Sequence, residues 1–63
     1  MNEKELQDLI KALELRERIL KGQLQFYVKY RKEIPEGREY ADDQINEKLD
    51  QLREIQNMLK KLK

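Results

Sequence analysis

The chain has no cysteine, histidine, serine, threonine or tryptophan. The missing cysteine rules out a disulfide and any thiolate metal site. Without Ser, Thr, Cys and His, the usual nucleophile–base pairs of covalent catalysis cannot be built. Two glycines are too few for a glycine-rich phosphate loop. Asp43, Glu47 and Asp50 recur at i, i+4 and i+7, but they come without the neutral ligands or loop that a hard cation needs. The expectation is therefore a non-enzymatic protein with no catalytic residue, no cofactor and no metal. No apolar run exceeds three residues, which predicts no transmembrane segment, no signal peptide, no membrane partner and a cytoplasmic location.

Charge is abundant but balanced. Charged residues make up 43% of the chain, yet 14 Lys and Arg face 13 Asp and Glu, for a net charge of +1. That balance argues against a protein that coats nucleic acid by bulk charge. One Pro and two Gly among many Glu, Lys, Leu and Gln suit long helices. The Pro and one Gly fall together in Ile34-Pro35-Glu36-Gly37-Arg38. Pro35 removes a backbone donor and biases Ile34 away from helix, and Gly37 can take positive φ. The reading is a single domain, residues 1–63. Helix 1 runs over about 2–33, a loop over about 34–38 and helix 2 over about 39–63. A connection this short returns the chain as an antiparallel αα-hairpin. Asn2, with Glu5 three residues on, offers a capping box.

Both helices carry heptads. In helix 1 the seam is Leu6, Ile10, Leu13, Glu17, Leu20, Leu24, Tyr27, Arg31 and Ile34. In helix 2 it is Ala41, Ile45, Lys48, Leu52, Ile55, Leu59 and Leu62. Folding about Glu36 pairs Tyr27 with Ile45, Leu20 with Leu52 and Leu13 with Leu59, as in a left-handed antiparallel coiled coil. Glu17 is expected either to reach water along its stem or to pair with Arg16 or Arg53 and fix register.

Helix 1 holds more apolar surface than this seam uses. On a wheel of about 100° per residue, Leu6, Leu9, Ile10, Leu13, Leu20, Leu24, Tyr27 and Val28 form one stripe. Ala12, Leu15, Ile19, Phe26 and Tyr30 form a second beside it. Together they cover roughly 220°, about twice a one-sided amphipathic helix. One partner helix covers only one stripe, and small all-helical domains without disulfide or metal commonly rely on oligomerisation. The fold class is therefore all-α, a hairpin of two long helices self-associating into a four-helix bundle. The interface is Ala12, Leu15, Ile19, Gly22, Phe26 and Tyr30. Gly22 sits in mid-helix at a cost of ~1 kcal/mol relative to Ala. It is read as a point of close helix approach.

The outer faces differ in sign. Lys4, Lys11, Arg18 and Lys32 recur every seven residues, with Lys21 and Lys29 beside them. Asp43, Glu47, Asp50 and Glu54 line the outside of helix 2. These ridges are solvated charge, a lateral contact between molecules, or, for the basic one, a phosphate-binding ridge. The segment from Phe26 to Lys32 interleaves aromatics and bases as stacking surfaces do, but its rings fall on the apolar arc while Lys29 and Lys32 point away.

In length and helix layout the chain resembles the RNA-binding hairpins that control plasmid copy number, which dimerise into four-helix bundles. No motif residue is shared, so the likeness implies the architecture and no activity. Small secretion chaperones and phage assembly factors use similar hairpins. The function expected is an obligate homo-oligomer, a dimer, acting in protein–protein interaction as adaptor, chaperone-like or assembly factor, with another protein as a further partner. The alternative is a small RNA- or DNA-binding regulator using Lys4, Lys11, Arg18, Lys21, Lys29 and Lys32.

Overall fold

A computed structural model describes residues 2–63. It consists of two helices, α1 (Glu3–Lys29) and α2 (Arg38–Leu62), packed along each other in a rod of 46 × 14 × 13 Å. Their antiparallel course is marked at both ends. Near the turn the Arg31 guanidinium meets Asp42, and at the far end Lys63 Nζ lies 3.1 Å from Glu14 Oε2.

The seam residues make the core. Ile10, Leu20, Leu52, Ile55 and Leu59 are buried together, and Leu6, Leu13, Leu24 and Leu62 pack against them. Leu20 is the most deeply buried large side chain, with 1% of its surface exposed. Leu20 and Leu52, expected as partners, share this cluster, as do Leu13 and Leu59. Tyr27 and Ile45 are half-buried toward the loop end, and Ala41 is fully buried. The wheel draws the first stripe too broadly: Leu9 and Val28, at its edges, are exposed.

The start of α1 is capped by the Asn2 side chain, one half of the expected capping box. Asn2 Oδ1 accepts from the Glu5 N–H at 2.8 Å, satisfying one of the otherwise unpaired first-turn donors. Its end differs. The helix stops at Lys29, not near residue 33, and Tyr30 is its C-cap. The N–H groups of Glu33 and Ile34 both donate to the Tyr30 carbonyl, and that of Gly37 donates to the Ile34 carbonyl. Residues 30–37 thus form a longer connection than expected, and Arg31 and Ile34 drop out of the helical seam. The physical reason begins with Pro35, which cannot donate to the Arg31 carbonyl and biases Ile34 away from helix, and a contact across the turn holds the unwound segment. Arg31 Nε donates to Asp42 Oδ1 at 2.6 Å and Nη2 to Oδ2 at 2.8 Å. An exposed ion pair of this kind is worth up to about 1 kcal/mol, enough to hold the turn in place but not to break a helix by itself. Gly37, at φ +98, then turns the chain into α2, and its carbonyl accepts from the Ala41 N–H.

Glu17 and Lys48 are half-buried on the seam. The Glu17 carboxylate lies 4.0 Å from Lys21 Nζ on its own helix. The expected pairs with Arg16 or Arg53 are absent among the described residues.

The Arg31–Asp42 clasp makes a pH prediction. The hydrogen bond from Arg31, with its charge, holds the Asp42 carboxyl below its ordinary range. A depressed folded-state pKa contributes stability above the unfolded value, lost as pH falls through the folded one. An Asp42→Asn variant should therefore melt below the parent at neutral pH. That gap should close as the medium is acidified below about pH 4. Thermal melts of both proteins across this range check it, and a gap independent of pH would contradict it. Both partners are well exposed, so the gap should be modest.

Candidate functional site

The second stripe lies in the open. Leu15, Ile19 and Phe26 keep 55%, 44% and 52% of their surface exposed. Ala12, Gly22 and Tyr30 are exposed as well. These are the residues assigned from the sequence to an oligomer interface, and within one chain they share one side of α1 without a covering helix.

Helix α2 extends this side. An apolar groove of about 230 Å³ is lined by Leu9 and Leu13 of α1 with Met58, Lys61 and Leu62 of α2. A second groove, of about 440 Å³, brings Ile19, Gly22 and Phe26 together with Lys48 across the helix pair. Arg18, Gln23 and Tyr27 complete its wall. Tyr40 joins through Tyr27, ring centroids 6.3 Å apart. Leu9, Met58 and Tyr40 thus belong to the same face as the second stripe. The sequence reading leaves Met58 and Tyr40 out of the interface and places Leu9 in the first stripe. Continuing the wheel along α2 finds the first two: they are eighteen positions apart, five full turns, and so share one flank.

All four aromatic rings of the chain connect at the loop end of this face. Tyr30 packs on Phe26 at 5.1 Å, Phe26 meets Tyr27 edge-on at 5.5 Å, and Tyr27 meets Tyr40. The charge that an ionised Tyr27 would carry is the main cause pushing the Tyr40 phenol above its ordinary pKa. Lys29 sits 5.4 Å from the centre of the Tyr30 ring, close enough for a cation–π contact. On the same flank of α2, Gln51 Oε1 is buried without a hydrogen-bond partner among the described residues. Leu49 and Val28, both exposed, are not part of this face. Leu49 is nine positions from Met58, about 180° around α2, and single exposed apolar residues are ordinary.

The ridges behave differently from the apolar face. Lys21 is near Glu17 and Lys29 is near Tyr30. Lys4, Lys11, Arg18 and Lys32 carry no ion pair among the described residues, and neither do Asp43, Glu47, Asp50 and Glu54. All eight are exposed. Among the described residues no three acidic side chains gather closely enough to hold a metal ion. No described helix is long and apolar enough to cross a membrane. Comparison with protein-family models, curated proteins and solved structures finds no match to this chain.

Proposed function

We propose that this hairpin is a self-associating interaction module. Its apolar face docks a second copy to form a four-helix bundle, which serves other proteins as an adaptor, a chaperone-like factor or an assembly factor. One observation carries the reading. Leu15, Ile19, Phe26 and Tyr30 on α1, with Tyr40 and Met58 on α2, are exposed, and the grooves and ring contacts link this side across the helix pair. Soluble monomers rarely leave an apolar patch of this breadth uncovered. A chain of 63 residues without a disulfide also has a small core to fold around. Covering the face adds a second apolar layer, which is how helix bundles are completed.

The nucleic-acid alternative draws on the basic ridge, of which Lys4, Lys11, Arg18 and Lys32 carry no ion pair among the described residues. It is the weaker reading for two reasons. The acidic ridge on α2 and a net charge of +1 leave the molecule without a broad positive field. The aromatic rings that would stack on bases are instead linked to one another on the apolar face.

Sedimentation equilibrium at micromolar concentration tests the proposal. The expected mass is twice that of one chain and varies little with salt, because the contact is apolar. A single-chain mass throughout would overturn it.

A further inference from the structure

Gly22 has no explanation inside one hairpin. Its φ is not positive; Gly37 alone among the glycines needs that freedom. A Cβ added at Gly22 would meet nothing within 4 Å. Alanine at this position would therefore fit the lone chain and favour the helix. Gly22 instead lies in the larger groove, between exposed Ile19 and exposed Phe26, with Arg18 and Lys48 in its wall.

A hole and a matching knob thus lie one helical turn apart on one patch. The groove takes an aromatic ring well: it has ring surface from Phe26 and Tyr27 and cations from Arg18 and Lys48, which can lie over a ring face. The exposed ring nearest to it on the same surface is Phe26 itself. A two-fold interface requires this arrangement, because residue i of one copy must meet residue j of the other while j meets i. We infer that the occupant of the groove is a second copy of this chain, with the Phe26 ring of each copy seated over Gly22 of the other. The two-fold axis then passes between the two α1 helices at the level of residue 24, and these helices run antiparallel past each other. This inference rests on the self-association proposed above and adds the contact that fixes its register.

Gly22→Ala gives a test whose sign separates the readings. In the Ile19→Asp background, where no copy should dock, adding Gly22→Ala is expected to raise the melting temperature, as in any open helix. In the otherwise unaltered chain, Gly22→Ala is expected to weaken association by about tenfold or more in sedimentation equilibrium, because its methyl group occupies the seat of the ring. A Gly22→Ala oligomer that associates as tightly as the parent would overturn the Gly22 contact and leave self-association standing. A parent chain that is monomeric throughout would overturn both. Benzoylphenylalanine placed at position 26 keeps an aromatic knob and supplies a second measurement. In the covalent dimer, photocrosslinks are expected at residues 18–23 or Lys48 of the other copy. Crosslinks only to the outer faces of the helices would contradict the inference.

Discussion

Replacing Ile19 by Asp is expected to dissociate the assembly into single hairpins whose helices persist. Ile19 is 44% exposed in the isolated hairpin and adjoins the larger groove. A carboxylate there can reach water as long as the chain is alone, and Asp costs the helix only a few tenths of a kcal/mol relative to Ile. In a docked pair the same carboxylate is stripped of water beside apolar side chains, and a two-fold contact does this twice. Desolvating a carboxylate costs several kcal/mol, which the cations in the groove wall, Arg18 and Lys48, offset only in part, so the dissociation constant should rise on the order of a hundredfold or more. Sedimentation should then show a single-chain mass where the parent shows two. Far-UV circular dichroism at low temperature should remain helical, while the melting temperature falls and no longer depends on concentration. An Ile19→Asp chain that still sediments as the oligomer would remove this face from the assembly. Leu49→Asp, on the opposite flank of α2, is the matching control and should leave the mass unchanged.

The two-helix hairpin follows from short-range rules that act within each segment. Seam positions alternate four and three along Leu6 to Tyr27 and again along Ala41 to Leu62, and all but Glu17 and Lys48 are apolar. A polar Pro–Gly segment lies between, and each feature is local to a few turns. Leu20 and Leu52 meet because both helices are straight enough for one register to hold. The connection is where this reading departs from the structure. Pro35 bars the helix from Ile34 onward, but Tyr30 to Glu33 have acceptable helix propensity, so the point at which the last turn unwinds is not set locally. The unwound turn is pinned by a pair eleven residues apart, Arg31 with Asp42, and a bidentate contact across a turn leaves no periodic trace. The candidate face was half visible for a related reason. The second stripe of α1 stands out because it repeats on one long helix. Met58 and Tyr40 are eighteen residues apart with Gln44 and Gln51 between them on that flank, so α2 shows isolated apolar residues rather than a stripe. Only the packing of the helices joins them to Leu9, Ile19 and Phe26. Leu9 itself is misassigned because it lies at the border of two arcs, where a wheel cannot tell a seam from its flank.

Leu20→Ala should have the opposite profile from Ile19→Asp, although the two positions are adjacent. Leu20 is 1% exposed at the centre of the cluster formed by Ile10, Leu52, Ile55 and Leu59. Removing three of its carbons leaves a cavity that a two-helix core can close only by drawing the helices together, which the neighbouring leucines resist. Buried Leu→Ala changes cost ~2.7–5 kcal/mol. A domain of 63 residues has roughly 3–9 kcal/mol of total stability at ordinary values per residue, so the loss is a large share of the whole. The variant is expected to lose most of its helical signal at 37 °C or to melt far below the parent, and its association should fail because its fold has failed. Leu20→Met fills nearly the same volume and should cost less than about 1.5 kcal/mol, which separates a packing defect from any intolerance of change at this site. Leu15→Ala, on the exposed stripe, should leave the hairpin folded while weakening assembly. If Leu20→Ala melted within a few degrees of the parent, the core would lie elsewhere, and the division of α1 into an inner seam and an outer docking stripe would be wrong.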